Sequence, residues 1–459
     1  MKHGVVIVGG GISGLSAAYY LAKAGISSTI VERRGRLGGV IQTERAEGCV
    51  IEAGPDSFLA AKPWAMDLIR DLGLAGDVIA SNDHLRVTYV VKGGRLKPLP
   101  EGLMMMVPTR ILPLAFSPLL SWKTKLRMGL EWFRRPAGVP PEDRSVADFI
   151  EDHYGKEAVE YLAEPLLAGV YGGDPERLSV ASVLTRFVEL ERKYGSLTKG
   201  VLAVRSNSAL RSAGATELFR TLKNGLGQLV EAITAAAGGY FTVVRGNVEA
   251  VTPGWQVRID GEWRAADHVI LAAPAYEAAS VLAGTAPELS RLLGEIEYSS
   301  SMTVALGYNR AELGHPLNGF GFLVPKKERK RLVACTWVGT KFSHRVPEDR
   351  AVLRCFFGGT DDSALRDSDE VITAAAREEL ETLMGVNAVP RFVRIARWPR
   401  SMAQYTVGHQ ARIERIESLV RRMPGLYLAG NAYTGIGIPD CVRMGKAAAE
   451  AIASQAAVG

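Results

Sequence analysis

Val5-Val-Ile-Val8, running straight into Gly9-Gly-Gly-Ile-Ser-Gly14, decides the fold. The four aliphatic residues read as a strand buried on both faces, as in a parallel sheet. The glycines form a turn that opens a helix, with Leu15, Ala18, Tyr19 and Ala22 on one face and Gly25 just past its end. Gly9 permits the tight turn, Gly11 lets a pyrophosphate approach the backbone, and Gly14 lets helix and strand pack closely. Gly10, Ile12 and Ser13 complete a turn whose N–H groups and positive helix end suit an anion. A second strand, Ser28-Thr-Ile-Val-Glu32, ends in a carboxylate eighteen residues after Gly14. Glu32 is therefore placed to accept a hydrogen bond from a ribose hydroxyl. Together these pieces predict a dinucleotide site in an α/β, Rossmann-like domain.

The far end of the chain carries a second turn of the same kind. Gly425-Leu-Tyr-Leu-Ala-Gly-Asn431 leads through Gly435-Ile-Gly-Ile-Pro-Asp440 into a small-residue helix over 445–453. Two such turns at opposite ends of one chain point to a large, two-ended cofactor. Directly after Glu32, Arg33-Arg-Gly-Arg-Leu-Gly-Gly39 adds another glycine pair, and Glu52-Ala-Gly-Pro-Asp-Ser-Phe58 adds a further donor-rich turn. A chain passing close beneath a flavin needs such small residues. FAD is the cofactor read from this pattern, with NAD(P) as the alternative.

These segments resemble the oxygen-dependent protoporphyrinogen oxidase family, which includes the bacterial coproporphyrinogen III oxidases and belongs to the amine-oxidase-like flavoproteins. The matching pieces are the turn at 9–14, residues 32–39, Gly54-Pro-Asp-Ser57, Glu164-Pro-Leu-Leu-Ala-Gly-Val-Tyr-Gly-Gly-Asp174, Gly319-Phe-Gly-Phe-Leu-Val-Pro325 and the run 430–440. The blocks 164–174 and 435–440 are the ones particular to porphyrinogen oxidases. The resemblance implies an FAD site made by Gly9, Gly10, Gly11, Ile12, Ser13, Gly14, Glu32, Arg33, Gly39, Val40, Gly54, Pro55, Asp56, Ser57, Val248, Trp398, Gly430, Asn431, Ile436, Gly437 and Ile438. It implies a substrate pocket walled by Gly169, Leu323, Cys335 and Phe356, although strand side chains packing one another explain the last three as well.

The chemistry implied by the resemblance is oxidation of a porphyrinogen to the aromatic porphyrin. Six electrons leave in three two-electron cycles, with molecular oxygen as acceptor and hydrogen peroxide as product. The substrate partner is then a tetrapyrrole. No Ser-His-Asp set, metal-ligand cluster or paired-acid motif stands out, so no catalytic residue is assigned and no metal is expected. His153 and His409 read as surface or structural residues. Where eukaryotic members carry an arginine for a substrate propionate, this chain has Thr88. Lys92, Arg95 and Lys97 then offer a distributed basic rim, which favours coproporphyrinogen III, with four propionates, over protoporphyrinogen IX. Two other classes stay open: another flavin amine oxidase or carotenoid desaturase, and a non-enzymatic prenyl-protein chaperone of the same fold.

Bulk properties set limits. A chain of 459 residues calls for two or three domains. Its 55 basic and 49 acidic residues give only +6, scattered along the chain, so nucleic acid is not a partner. Cys49, Cys335, Cys355 and Cys441 form no close-spaced pair in the sequence and read as reduced core residues of a cytoplasmic protein. No signal peptide is read ahead of the first strand. The sequence allows a homo-oligomer.

The most apolar stretch, 103–120, is broken by Pro108, Pro113 and Pro118, so it does not span a membrane. Residues 121–135 follow, with Trp122, Leu126, Leu130 and Phe133 on one helical face beside Lys123, Lys125, Arg127 and Arg134. Such a helix either packs its apolar face inside the domain or lies peripherally on the anionic inner face of the membrane.

The organisation reads as discontinuous. Residues 1–86, 213–272 and 398–459 form the FAD-binding domain, 87–101 and 273–397 a sheet-based substrate domain, and 102–212 a helical insertion, the part for which membrane association stays open. Helices are expected over 224–237 and 368–384. Ser145-Val-Ala-Asp148 resembles a capping box.

Overall fold

In the computed structural model, residues 4–136, 142–206, 217–359 and 361–456 are described. Val5–Val8 is the middle of a five-stranded parallel sheet, flanked by Ser28–Glu32 and Phe241–Arg245 on one side and by His268–Leu271 and Leu426–Leu428 on the other. The helix Ile12–Lys23 follows the first strand and packs against Gly227–Ala237 and the long C-terminal helix Ile438–Ala456. The expected helix 224–237 starts later, at Gly227. Gly225 takes φ +102°, and side chains from a distant hairpin, Glu52 and Thr43, accept from the backbone N–H groups of Leu226 and Gly227. A start set by distant acceptors leaves no local signature.

The second sheet has seven strands, in the order Phe392–Ala403, Tyr298–Asn309, Arg350–Gly359, Ala334–Trp337, Gly321–Leu323, Thr88–Lys92 and Arg95–Pro98. The helix Asp369–Met384 contributes Ile372, Ala376 and Leu380 to the core behind this sheet. Ser368 caps it by accepting from Val371 N, and Gly385 ends it in the left-handed conformation.

Two of the crossings between the sheets fall at residues other than those expected. Helices Ala275–Leu282 and Pro287–Gly294 bury Ala278, Leu282, Leu289 and Leu293 in the core of the first sheet. The crossing therefore comes near Tyr298 rather than 273. The return comes at the end of Phe392–Ala403, which carries Trp398 within the second sheet. The expected crossing at 212–213 lies outside the described residues.

Residues 102–206 are mainly helical where described. Ser145 caps Val146–Tyr154, its Oγ accepting from Asp148 N at 3.0 Å. Both nitrogens of the buried His153 are engaged, with Glu131 at 2.9 Å and Glu191 at 3.1 Å. That makes it structural. The helix Trp122–Leu130 faces inward with Thr124 and Met128. Its apolar face is turned out: Trp122 is 69% exposed and Phe133, in the following turn, 73%. Packing inside the domain is thereby overturned. Ile111 and Phe116, each 84% exposed, add to the outward apolar surface of this region. Among the described residues, no helix is long and apolar enough to cross a membrane.

Candidate active site

One cavity of about 2530 Å³ runs from the glycine turns to the wall of the second sheet. A single small-molecule site usually occupies ~300–1,000 Å³, so there is room for two large ligands end to end. Of the residues expected to hold cofactor or substrate, all but Gly10 and Gly14 line it. Those two act from behind. A Cβ on Gly10 would stand 2.5 Å from Leu37 Cδ2, and one on Gly14 would stand 2.0 Å from the Gly9 carbonyl oxygen.

The turn after Val8 fits the phosphates of a dinucleotide. Ile12–Lys23 begins at Gly11 with no side chain capping its first N–H groups and no acid in its first turn. The space a Gly11 Cβ would occupy is open. Glu32 braces this turn: its Oε2 accepts from Gly10 N at 2.8 Å and its Oε1 from Arg34 N at 2.7 Å. The carboxylate stays on the cavity wall with further acceptor capacity, so the ribose contact remains open to it.

The turn from 430 to 438 is pinned by residues that carry no motif. Tyr405 Oη donates to the Asn431 carbonyl at 2.9 Å and accepts from Gly435 N at 2.8 Å. Asn431 Nδ2 donates to the Ser401 carbonyl. His409 stacks on Tyr405 with ring centroids 4.0 Å apart and lies 3.0 Å from the Tyr433 carbonyl through Nε2. Burial lowers its pKa to about 4, so the ring is neutral and Nε2 donates. His409 is a buried brace. Trp398 Nε1 donates to the Ala53 carbonyl at 2.8 Å, and Val248 closes the cavity at the start of Val248–Thr252.

Asp56 sits between two cations. Lys341 Nζ lies 2.9 Å from its Oδ2 and an Arg354 Nη1 3.7 Å away. Burial alone would raise its pKa, but the two positive charges outweigh that and hold it well below the usual carboxylate range. Asp56 therefore stays ionised and is a poor proton acceptor.

The substrate wall follows from strand register. Leu323 pairs with Ala334, Ala334 with Phe356, and Phe356 with Thr303. One row across a sheet shares one face. Gly169 stands opposite, on Glu164–Tyr171, where a Cβ would lie 3.6 Å from Leu323 Cδ2. The next row, Phe322, Cys335 and Cys355, faces the other way into the core with Tyr308 and Ile372. Cys335 thus borders the cavity while its thiol packs behind the wall, and Ala334 presents the side chain on the cavity side.

The expected basic rim requires correction. Lys92, Arg95 and Lys97 are absent from the cavity wall. Lys92 Nζ is held by Glu157 at 2.8 Å and by the Leu119 carbonyl. Arg95 and Lys97 lie on the outermost strand of the second sheet. Thr88 does line the cavity, and so do Arg86, Arg110, Arg186 and Arg205. Among the described residues Arg86, Arg186 and Arg205 have no carboxylate partner, and Arg110 has only Glu101 at 3.6 Å.

A parallel sheet with two glycine turns meeting over one long cavity, beside a second sheet that walls its far end, defines a flavoprotein oxidoreductase. The profile of the flavin containing amine oxidoreductases matches residues 12–453, and the chain belongs to that family. It is 36% identical to a coproporphyrinogen III oxidase of Bacillus subtilis, over 97% of each chain. A coproporphyrinogen III oxidase of Staphylococcus aureus is 31% identical over 99% of this chain and all of its own length. A solved structure of a provisionally named protoporphyrinogen oxidase from Exiguobacterium superposes with a TM-score of 0.87, at 32% identity over 98% of each chain. FAD is the cofactor of this site, and the protein is an oxidoreductase.

Proposed function

We propose that the protein oxidises coproporphyrinogen III, in preference to protoporphyrinogen IX, to the corresponding porphyrin. The observation that carries this reading is the single cavity joining the dinucleotide turns to the apolar wall of Gly169, Leu323 and Phe356. A flat macrocycle fits between that wall and a flavin, and the relatives named as coproporphyrinogen III oxidases support the choice of substrate. Bound FAD supplies two-electron acceptance and its regeneration by oxygen, with peroxide as product.

The chain's own residues do the rest. Leu323, Ala334 and Phe356 exclude water and press the macrocycle flat, while Gly169 leaves room for it. Asp56 contributes a fixed negative charge between Lys341 and Arg354. Arg86, Arg110, Arg186 and Arg205 meet the propionates, each exposed pair contributing about 0.2–1 kcal/mol. Removing Arg186 and Arg205 together by alanine is expected to lower kcat/KM for coproporphyrinogen III more than for protoporphyrinogen IX, an effect that fades with salt. Equal kcat/KM losses for both substrates, independent of salt, would contradict the rim.

The outward apolar face bears on where the enzyme works. Trp122, Leu126, Leu130 and Phe133, with Lys123 and Arg127 beside them, form a surface suited to an anionic bilayer. Phe116 is both exposed and part of the cavity wall, which supports a substrate path beside the apolar surface. This reading places a cytoplasmic protein against the inner leaflet. Co-sedimentation with anionic vesicles, lost on replacing Trp122 and Phe133 by serine, is the expected result, and retention by the variant would remove the contact.

A further inference from the structure

Arg400 is held in a conformation that side chains rarely adopt. The register of Tyr298–Asn309 against Phe392–Ala403 shifts between Ser299 and Ser301, and opposite that irregularity Arg400 has φ +46°. Such strain persists only where the surroundings enforce it, and it gathers at functional sites. Here Arg400 N donates to Ser300 Oγ at 3.1 Å, and its carbonyl accepts from Tyr276 Oη at 3.3 Å. The guanidinium lies over the Tyr276 ring, 3.8 Å from its centroid. It borders the cavity, and among the described residues it has no carboxylate partner.

Its contacts tie it to the second glycine turn and, through Tyr276, to the segment that follows the strand end between the turns. The carbonyl of Ser401, the next residue, accepts from Asn431 Nδ2 at 2.9 Å. Tyr276 follows the strand end against which both turns pack: a Gly9 Cβ would lie 2.8 Å from the Ala272 oxygen, and a Gly430 Cβ 3.7 Å from the Ala273 oxygen. The uncapped start of Ile12–Lys23 lines the same cavity. Arg33 is already engaged there, with Glu277, and Arg36, which does not line the cavity, holds the carbonyls of Leu37, Gly39 and Ile41. Val40, just past the glycine pair, brings no charge.

We propose that Arg400 binds the pyrophosphate of the flavin dinucleotide, its strained backbone being retained because it aims the guanidinium at the phosphates. A pyrophosphate has acceptor oxygens for the N–H edge of the planar, forked guanidinium, whose face remains stacked on Tyr276. The dinucleotide site alone supports this assignment, so the choice of porphyrinogen leaves it untouched.

The test compares two ligands on the apoprotein. Arg400→Gly relieves the strained φ and removes the cation, so its apoprotein should melt no lower than wild type. Its Kd for FAD should rise roughly tenfold or more, a factor equivalent to about 1.4 kcal/mol, while its Kd for riboflavin, which has no phosphate, stays unchanged. Arg400→Lys should recover part of the FAD affinity, and Arg400→Gln none. If the glycine variant does not fold, the lysine and glutamine variants give the same comparison. Unchanged FAD affinity, or parallel loss for FAD and riboflavin, would overturn the proposal.

Discussion

Gly445 stands so close to Ser13 that a Cβ at that position would lie 2.2 Å from the Ser13 carbonyl oxygen. The two helices that carry the two glycine turns are therefore locked at their closest approach, and one binding surface is made from opposite ends of the chain. Gly445→Val is expected to cost about 1–3 kcal/mol through overpacking and to reduce the FAD retained on purification. Gly129→Ala serves as the control, since a Cβ there meets nothing within 4 Å. Thermal midpoint and flavin absorbance per chain measure both effects. A Gly445→Val protein as stable and as yellow as the control would show that the helices can move apart freely.

Glu32 has two duties, and its removal should show both. Glu32→Ala strips the acceptors from Gly10 N and Arg34 N and removes the group facing the ribose. FAD affinity should fall by about 1–3 kcal/mol, read by titrating apoprotein with FAD. An unaltered titration would mean that neither the turn nor the ribose depends on the carboxylate.

The brace beneath the C-terminal turn makes stability depend on pH. His409 has a pKa lowered by burial from 6.5 to about 4, so the unfolded chain binds its proton more readily than the folded one. Stability from the neutral ring is thus complete above about pH 6.5 and is lost as pH falls towards about 4. Wild type should lose thermal stability across that window more steeply than His409→Gln. Parallel pH profiles for the two proteins would show that the imidazole charges without penalty.

What could be read from the sequence was what local chemistry dictates. Gly9, Gly14, Gly39 and Gly54 occupy positions of positive φ or close backbone approach, which glycine alone tolerates, so their spacing announced the FAD turns. Tyr405, Ser401 and Arg400 line the same cavity yet are brought there by tertiary contacts, and the nearby Trp398 carries no local pattern that extends to them. The orientation of Cys335 was equally hidden. A shift of one residue reverses the face, and the parity of a short strand is fixed only by its pairing with Phe322 and Cys355. Lys92 reads from the sequence as a free rim cation because its partner, Glu157, comes from the distant helical insertion. The face of Trp122 and Phe133 has the same period whether it packs inward or turns outward, so only its exposure in the fold tells the two apart.

The central claim is that one FAD-bearing cavity carries a porphyrinogen through three two-electron oxidations. The most direct measurement supplies coproporphyrinogen III to the holoenzyme under air and follows coproporphyrin fluorescence together with peroxide. Three equivalents of hydrogen peroxide per porphyrin are expected, at a kcat/KM above that for protoporphyrinogen IX. Flavin-loaded protein that oxidises neither porphyrinogen faster than the spontaneous reaction in air would contradict the account.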